Sequence, residues 1–192
     1  MTDSAAAEEQ LLAAAARNGD KRAFNQLIDR YKSPLYGLIR RYVGNSDDAY
    51  DVLQETFVSV WLSFNGYDPR QSFGPWIRTI ALNKCRDVSR RRTVRRRILQ
   101  LFALEPAEEA TAPEHWDGPE EGQSDQRRIQ KLDQAIEQLP RHYKEPLILT
   151  AFHGLTQRQA AEQLGVTTKA VEVRLHRARK RLHEILQVDA ET

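Results

Sequence analysis

Apolar residues recur every three or four positions along most of this chain, and no segment shows convincing two-residue alternation. This spacing predicts α-helices and no β-sheet. Four helices are predicted in the first half, near 8–17, from about Asp20 to Val43, from about Ser46 to Phe64 and from about Ser72 past Arg90. Gly19 is expected to close the first helix, Asp20 to cap the second, and Pro34 to bend or interrupt the second.

Turn residues and composition divide the chain into two parts. Asn65 to Gln71 (NGYDPRQ) is predicted to be a loop. Residues from about 100 to 126 are rich in Glu, Pro, Ala and Gly, so they cannot recover their ordering entropy by burial. Apolar periodicity returns at Ile129 and stops at Pro140, and three more helices are predicted near 141–153, 157–164 and 168–187. The expected fold is all-α, with a four-helix domain (8–97), a flexible acidic linker (98–127) and a second small helical domain (128–187).

The second domain carries the local signals of a helix-turn-helix. Thr156 followed by Gln159 has the form of a capping box at the start of a helix. Gly165 stands where that helix would end in the left-handed conformation. Either Thr167 or Thr168 then caps the next helix. Two helices joined by a short turn that contains Gly are typical of this motif.

The last helix has two chemically different faces. Val171, Leu175, Ala178, Leu182 and Ile185 share an apolar stripe. The opposite face carries Lys169, Val173, His176, Arg177 and Lys180, with Arg174 and Arg181 at its flank. Such a basic face is suited to a DNA major groove. The alternative is an ordinary amphipathic helix with a solvated basic face, and the helix-turn-helix signals ahead of it favour DNA binding.

Two helices of the first domain also present polar faces. In the third helix Asp47, Asp48, Asp51, Gln54 and Glu55 lie opposite Ala49, Leu53, Phe57, Val60 and Phe64. Charge alone favours a solvated acidic face there, with docking to a basic partner as the alternative.

In the fourth helix Trp76, Thr79, Asn83, Arg86 and Arg90 lie opposite Ile77, Ala81, Cys85 and Val88, and Arg91 and Arg92 extend the charge. Cations, an amide and an aromatic ring together suit single-stranded or distorted DNA. Trp76 is equally compatible with the core.

Charge is segregated along the chain although the formal net charge is only +2. Residues 84–97 hold eight Lys or Arg and one acid, 105–125 hold eight acids and no Lys or Arg, and 169–181 hold six Lys or Arg and one acid. Blocks of alternating sign indicate a polyanion-binding protein with an acidic connector.

Composition argues against several other classes of protein. The single cysteine, Cys85, excludes an internal disulfide framework, and the five histidines form no metal-ligand spacing. There is no Gly-rich phosphate loop or nucleophile motif, so we expect no cofactor, no metal, no catalytic residue and no small-molecule substrate. No apolar run approaches the roughly 20 residues that span a bilayer, and the N-terminus lacks a signal-peptide layout. A soluble cytoplasmic protein is expected.

Two stretches closely resemble region 2 of bacterial sigma factors: DAYDVLQETFVSVW (Asp48–Trp61) and SFGPWIRTIALNKCRDVSRRR (Ser72–Arg92). A third, LDQAIEQLPRHYKEPLILTAFHGLTQRQAAEQLGVTTKAVEVRLHRARKRL, resembles their region 4. The resemblance covers about 20–92 and 128–187, with only these two regions and a short linker. That architecture resembles the extracytoplasmic-function group of the sigma-70 family.

The resemblance implies three binding surfaces. Asp48, Asp51, Gln54 and Glu55 match the surface that binds the β′ clamp helices of RNA polymerase core, and the β flap is a second expected contact. Tyr67 and Asn83 match positions that capture a flipped-out base of the −10 element; a protruding aromatic ring would offer that base a stacking surface. Trp76, Arg86, Arg90, Arg91 and Arg92 are expected to join this −10 surface, the arginines on phosphates.

The −35 element would be read as duplex DNA by the last helix, through Lys169, Glu172, Val173, His176, Arg177 and Lys180. Many family members carry a basic residue followed by serine where this chain has Glu172 and Val173. Glu can accept from cytosine N4 and Val can pack on a thymine methyl, so a different −35 sequence is expected. The acidic linker could lie in a basic channel of the polymerase or be a plain solvated tether.

The resemblance also implies control by an anti-sigma factor, which would hold the inactive protein at the membrane.

Two other functions remain open. A helix-turn-helix repressor or activator would account for 128–187 but not for the acidic face and Asn83. A sigma mimic that titrates an anti-sigma factor has little reason to keep a basic face on its last helix. An enzyme is the least expected class.

Overall fold

The computed structural model describes residues 2–101 and 120–188, and every regular element in that part of the chain is helical. The helices are α1 (Thr2–Arg17), α2 (Lys21–Val43), α3 (Ser46–Ser63), α4 (Phe73–Leu101), α5 (Glu120–Glu137), α6 (Arg141–Leu147), α7 (Gln157–Leu164) and α8 (Thr168–Val188). A 3-10 turn, Phe64–Gly66, follows α3, and a π-helical turn, Ile148–Phe152, follows α6. The all-α prediction is confirmed.

The helix boundaries differ from the sequence prediction in three places. Helix α1 begins at Thr2 rather than near residue 8. Both ends of the predicted linker are helical, because α4 extends to Leu101 and α5 begins at Glu120; residues 102–119 of that linker lie outside the described residues. The single helix predicted over 141–153 instead widens into the π-helical turn, where the His153 amide donates to the Ile148 carbonyl at 3.2 Å.

The chain divides into two compact units, Met1–Arg40 with Ser46–Asp87, and Arg41–Asn45 with Val88–Thr192. The division therefore falls inside α4, ten residues before the predicted boundary at 97. The three-part division into 8–97, 98–127 and 128–187 stays a prediction.

Local signals at the start of the first unit form as the sequence predicts. Gly19 has a φ of 90°, which ends α1. The Asp20 carboxylate accepts from the amides of Arg22 (2.8 Å) and Ala23 (3.2 Å), so Asp20 is the N-cap of α2. Pro34 lies inside α2 without interrupting it.

An aromatic cluster forms much of the core of the first unit. We define it as Phe24, Tyr31, Trp61, Phe64, Tyr67, Phe73 and Trp76. Phe64 is central: its ring stacks on Phe73 at 5.7 Å and meets Phe24 edge-on at 5.7 Å. Such aromatic pairs contribute about 0.5–1.5 kcal/mol each beyond their buried area. The cluster thus fixes α2, α3, the 3-10 turn and the start of α4 to one another.

The second unit contains the predicted helix-turn-helix. Thr156 Oγ1 accepts from the Gln159 amide at 3.2 Å while the Gln159 side chain accepts from the Thr156 amide at 2.9 Å, so the capping box is confirmed. Gly165 has a φ of 66° at the end of α7, also as predicted. The hydroxyl of Thr167 accepts from the Ala170 amide at 3.1 Å, which identifies Thr167 rather than Thr168 as the cap of α8.

Small residues let α7 and α8 pack closely. Ala160 and Ala161 of α7 are buried, and the stripe of α8 is 0% exposed at Val171, 2% at Leu175 and 0% at Ala178. Further along α8, Leu182 and Ile185 are only half-buried. Burial of this stripe fixes which side of α8 remains exposed.

Two charged residues of α6 are buried in the second unit, and both have partners there. Lys144 Nζ donates to the carbonyl of Glu137 at 2.7 Å and to that of Tyr42 at 3.3 Å. The Glu145 carboxylate accepts from Tyr42 Oη at 3.2 Å and from Arg141 Nε at 2.9 Å. These hydrogen bonds offset part of the desolvation cost of burying the two charges, which explains why the fold tolerates them.

The capping geometry of α8 yields a test with a matched control. Thr167→Ala should lower the free energy of unfolding of the helix-turn-helix by about 1 kcal/mol, because one amide of the first turn loses its acceptor. Thr168→Ala removes the neighbouring exposed hydroxyl and should change it by less than about 0.5 kcal/mol. Hydrogen exchange of α8 amides measures both values. Equal losses in the two variants would contradict the assignment of the cap.

Candidate functional site

The acidic residues of α3 form an exposed surface. Asp47, Asp51, Gln54 and Glu55 are exposed and Asp48 is half-buried. The Glu55 carboxylate also lies 3.5 Å from Lys84 Nζ of α4. Because both side chains are accessible to solvent, this ion pair contributes little to stability. Opposite them, Ala49, Leu53, Val60 and Phe64 are buried, as the sequence predicts, and Phe57 is half-buried.

The same side of α3 continues into apolar residues to which the sequence analysis assigned no role. Val58 is 58% exposed and Leu62 is 75% exposed, and Trp61 beside them is 39% exposed. At 100° per residue, Val58 and Leu62 align with Asp51 and Glu55. We call Asp47, Asp48, Asp51, Gln54, Glu55, Val58 and Leu62 together the α3 face. The spacing 51, 55, 58, 62 was a signal for this extension.

On α4, Asn83 is exposed and its side-chain oxygen accepts from Arg86 Nη1 at 2.7 Å. Farther along the helix, Arg90 and Arg91 are exposed. Arg92 is engaged within the second unit, where its Nη1 donates to the Val43 carbonyl at 2.6 Å and lies 3.3 Å from a Glu137 carboxylate oxygen. Of the polar residues predicted for the −10 surface on α4, Asn83, Arg90 and Arg91 are therefore exposed, and Arg86 is half-buried beside Asn83.

Tyr67 does not present its ring as the sequence led us to expect. Its side chain is only 1% exposed, because the ring packs in the aromatic cluster 4.8 Å from Trp76. Its hydroxyl donates to the Gln71 carbonyl at 2.5 Å, and burial raises its pKa to about 12. The expectation that the Tyr67 ring protrudes is therefore wrong, because the ring is buried and the residue ties the loop to the core. Its role in base capture stays a prediction. Trp76 is half-buried in the same cluster.

The loop that follows the 3-10 turn is built around one ion pair. Arg70 donates from Nε and Nη2 to the Asp68 carboxylate at 2.8–3.1 Å, and the Arg70 amide donates to the same carboxylate at 3.0 Å. These hydrogen bonds from Arg70 lower the pKa of Asp68 to about 2, with a smaller contribution from the nearby Arg17 cation. Asp68 is therefore ionised throughout the physiological pH range.

A depression lies beside this loop, and we call it the loop depression. Its lining consists of Arg17 from the end of α1 together with Asn65, Gly66, Tyr67, Asp68, Pro69 and Arg70. The sequence analysis assigned Arg17, Asn65 and Arg70 no functional role. Nothing in the local sequence reveals that α1 reaches the loop, because the contact joins segments about fifty residues apart.

The exposed side of α8 matches the sequence prediction. Lys169, Glu172, Val173, His176, Arg177 and Lys180 are all exposed. Glu172 pairs with Lys169 at 2.8 Å, and Arg181 at the flank pairs with Glu184 at 3.0 Å. We call the six residues the α8 face. Its cations and its apolar Val173 lie opposite the buried stripe of the helix.

Over 2–101 and 120–188, no three His, Cys, Asp or Glu side chains are grouped so that they could hold a metal ion. In the same part of the chain, no helix is both long and apolar enough to cross a membrane. Cys85 is buried, as predicted from its place on the apolar side of α4.

Comparison with known proteins gives matches over both units. The family model for sigma-70 region 2 matches residues 27–96, and that for sigma-70 region 4 matches 129–182. RNA polymerase sigma factor NccH of Alcaligenes xylosoxydans xylosoxydans is 36% identical over 97% of this chain and 98% of that protein. ECF RNA polymerase sigma factor SigE of Mycolicibacterium smegmatis is 31% identical over 88% of this chain and 64% of that protein.

A solved structure of CnrH in complex with the cytosolic domain of CnrY is also similar. It is 30% identical to this chain, with a TM-score of 0.69 over 95% of this chain and 99% of that one. The similarity therefore extends over both helical units and not over the helix-turn-helix alone.

The Asp68–Arg70 pair makes a testable pH prediction. An NMR titration of the Asp68 carboxyl carbon should give a midpoint of about 2. Arg70→Ala should move it towards the ordinary value of about 3.9, while Arg22→Ala, an exposed cation outside the depression, should not. Because the folded pKa is lowered, the pair stabilises the loop above the ordinary pKa and loses this effect as the pH falls through about 2. A wild-type midpoint near 4 would contradict the ion pair.

Proposed function

This chain belongs to the extracytoplasmic-function group of the sigma-70 family of bacterial RNA polymerase sigma factors, and we propose that three of its surfaces divide the work of promoter-specific initiation. The α3 face binds the polymerase core, α4 binds the opened −10 element, and the α8 face binds the −35 element as duplex. The observation that carries this proposal is the α8 face, exposed on a capped helix-turn-helix.

The α3 face has the chemistry of a docking surface for the β′ clamp helices. Asp51, Gln54 and Glu55 supply acceptors for a basic partner, and Val58 and Leu62 supply apolar area that is costly to leave in water. Protein interfaces commonly combine an apolar centre with a polar rim. The apolar residues therefore extend the acidic site predicted from the sequence.

Base capture at the −10 element is assigned to Asn83, whose exposed amide can read a base edge. The side-chain oxygen of Asn83 accepts from Arg86. Its side-chain NH2 group can therefore donate to an acceptor on the base. Arg90 and Arg91 bind backbone phosphates upstream. Trp76 supports the surface from its half-buried position, and the buried Tyr67 contributes by holding the loop beside it.

Readout of the −35 element depends on how α8 enters the major groove. Arg177 and Lys180 can donate to guanine, and His176 and Lys169 can bind base edges or phosphates. Glu172 can accept from cytosine N4, although its pairing with Lys169 must be broken or shared to do so. Val173 is 39% exposed and fits a thymine methyl group.

Two DNA-binding units in one chain increase affinity through effective concentration when both promoter elements are correctly spaced. The polymerase core performs the chemistry, so the chain itself needs no catalytic residue, cofactor or small-molecule substrate.

The helix-turn-helix unit is proposed to contact the β flap, which would hold it near the upstream DNA. The acidic linker either follows a basic channel of the polymerase or is a solvated tether.

An anti-sigma factor is the proposed regulator. The similar protein CnrH has been solved in complex with the cytosolic domain of CnrY. By analogy, this chain is proposed to be cytoplasmic and to be held inactive, at the membrane, by an anti-sigma factor. The exposed Val58 and Leu62 make the α3 face a favourable place for such an inhibitor to compete with the core.

The main rival function is a helix-turn-helix regulator that binds duplex DNA without the polymerase. It would use the α8 face in the same way but would need neither the α3 face nor Asn83. A pull-down with purified core polymerase separates the two functions. Absence of a complex, with no inhibitor present, would favour the rival.

The apolar part of the α3 face gives a test of core binding. Leu62→Ala should weaken the complex with core polymerase about tenfold, because burying a leucine side chain contributes roughly 1.5–3 kcal/mol. Leu11→Ala is the matched control: Leu11 is 72% exposed on α1, close to the 75% of Leu62, and has no proposed contact. Affinity is measured by titrating labelled protein with core. If both variants bind like the wild type, Leu62 is not in the interface.

The two DNA surfaces predict separable specificity defects. In transcription of a randomised promoter library by the reconstituted holoenzyme, Asn83→Ala should relax base preference at −10 positions only. Arg177→Ala should relax preference at −35 positions only, each by about 1–3 kcal/mol per affected base. Sequencing of the transcribed templates measures both. A uniform loss over all promoters in both variants would contradict the base-reading roles.

A further inference from the structure

Helix α1 lies before the region that the family model covers, which begins at residue 27, yet its last residue lines the loop depression. We propose that Arg17 binds a backbone phosphate of the single-stranded non-template strand where it passes the loop depression. This inference rests on the proposed function and extends the −10 surface to a residue of α1.

The first support is the way in which α1 is anchored. Ala13 and Ala16 are 0% and 3% exposed, so one side of the helix is packed on the first unit. Glu8 pairs with Arg30 of α2 at 2.8 Å, and Glu9 accepts from Tyr31 Oη at 2.5 Å. Because Tyr31 belongs to the aromatic cluster that also holds Tyr67, the position of α1 is coupled to that of the loop.

The end of α1 is also fixed. The amides of Gly19 and Asp20 donate to the carbonyls of Ala16 (3.0 Å) and Ala15 (3.1 Å), which is the pattern of a Schellman cap. These bonds satisfy carbonyls that would otherwise repel a phosphate at a helix C-terminus. Arg17 therefore projects from a well-defined backbone position.

The second support is the charge balance of the depression. It contains the guanidinium groups of Arg17 and Arg70 and the carboxylate of Asp68, which leaves one net positive charge. Arg70 is committed to Asp68 through two side-chain nitrogens. The Asp68 carboxylate, which attracts the Arg17 cation, is thus already hydrogen-bonded by Arg70. The Arg17 side chain is exposed to solvent. Its donors are thus available for a phosphate, which guanidinium binds in a bidentate manner.

The other lining residues fit a nucleotide rather than an isolated anion. Asn65 offers an exposed amide that can donate to and accept from a base, and Pro69 offers an apolar ring. The ion pair of Asp68 with Arg70 reduces repulsion between that carboxylate and the strand. Phosphate contact by Arg17 would position the nucleotide without reading its sequence.

The test measures binding of the complete holoenzyme to a labelled single-stranded oligonucleotide that carries the −10 sequence selected from the promoter library. Arg17→Ala should weaken binding about tenfold and reduce the salt dependence, d log K/d log[salt], by about 0.7 in magnitude, the value of one single-strand phosphate. Arg17→Lys should keep the salt dependence. Arg22→Ala, which removes an exposed cation that does not line the depression, should bind like the wild type.

Oligonucleotides in which one phosphate at a time is replaced by a neutral methylphosphonate locate the contact. At one position the replacement should weaken binding of the wild-type holoenzyme but not that of the Arg17→Ala holoenzyme, since both changes remove the same interaction. The proposal is overturned if Arg17→Ala binds within twofold of wild type, if Arg22→Ala causes an equal loss, or if no linkage shows this coupling. Failure of the proposed function looks different: the wild-type holoenzyme would bind selected and scrambled oligonucleotides alike, and both proposals would fall.

Discussion

Val171, Leu175 and Ala178 are buried in the second unit, where α8 packs on α5, α6 and α7, and this packing determines which residues of α8 can meet DNA. On an amphipathic helix at the protein surface, the residues about 180° from the buried stripe are exposed, and here they form the α8 face. The same relation holds in α3, where Ala49, Leu53 and Val60 are buried and the α3 face is exposed. Each proposed binding surface is therefore a consequence of the core beneath it. Side chains on a packed helix are held more precisely than side chains on a mobile segment.

The aromatic cluster has a comparable role in the first unit, where the functional surface includes a loop. The Tyr67 ring packs on Trp76 and its hydroxyl bonds the Gln71 carbonyl, so both ends of the loop are tied to the core. The Asp68–Arg70 pair holds the middle of the loop. A loop fixed in this way can present a preformed surface to a strand, which reduces the ordering cost of binding.

Local sequence signals predicted much of this fold. The capping box at Thr156 and the left-handed Gly165 depend on residues within one or two turns, so they could be recognised without tertiary information. The buried stripe of α8 followed from helical periodicity in the same way. The comparisons confirm the family and with it the predicted function, whereas the roles of individual residues stay proposals.

Features that depend on distant contacts could not be predicted. Lys144 and Glu145 look like surface residues in the sequence, but Tyr42, about a hundred positions earlier, provides partners that let them be buried. Tyr67 stands among turn residues that usually indicate exposure, yet Phe64, Phe73 and Trp76 enclose it. Leu62 is apolar and would ordinarily be assigned to a core; its helical spacing from Asp51 and Glu55 is the one local signal of exposure, and the packing of α3 shows that it is exposed.

The central claim is that this chain gives the polymerase core the ability to open a promoter at a chosen place. Permanganate footprinting of a promoter selected from the library tests it, because permanganate modifies unpaired thymines. Core polymerase with the chain should produce reactive thymines at the −10 element, and core alone should produce none there. If the chain binds core and promoter yet the −10 thymines stay unreactive, the account of strand opening is contradicted.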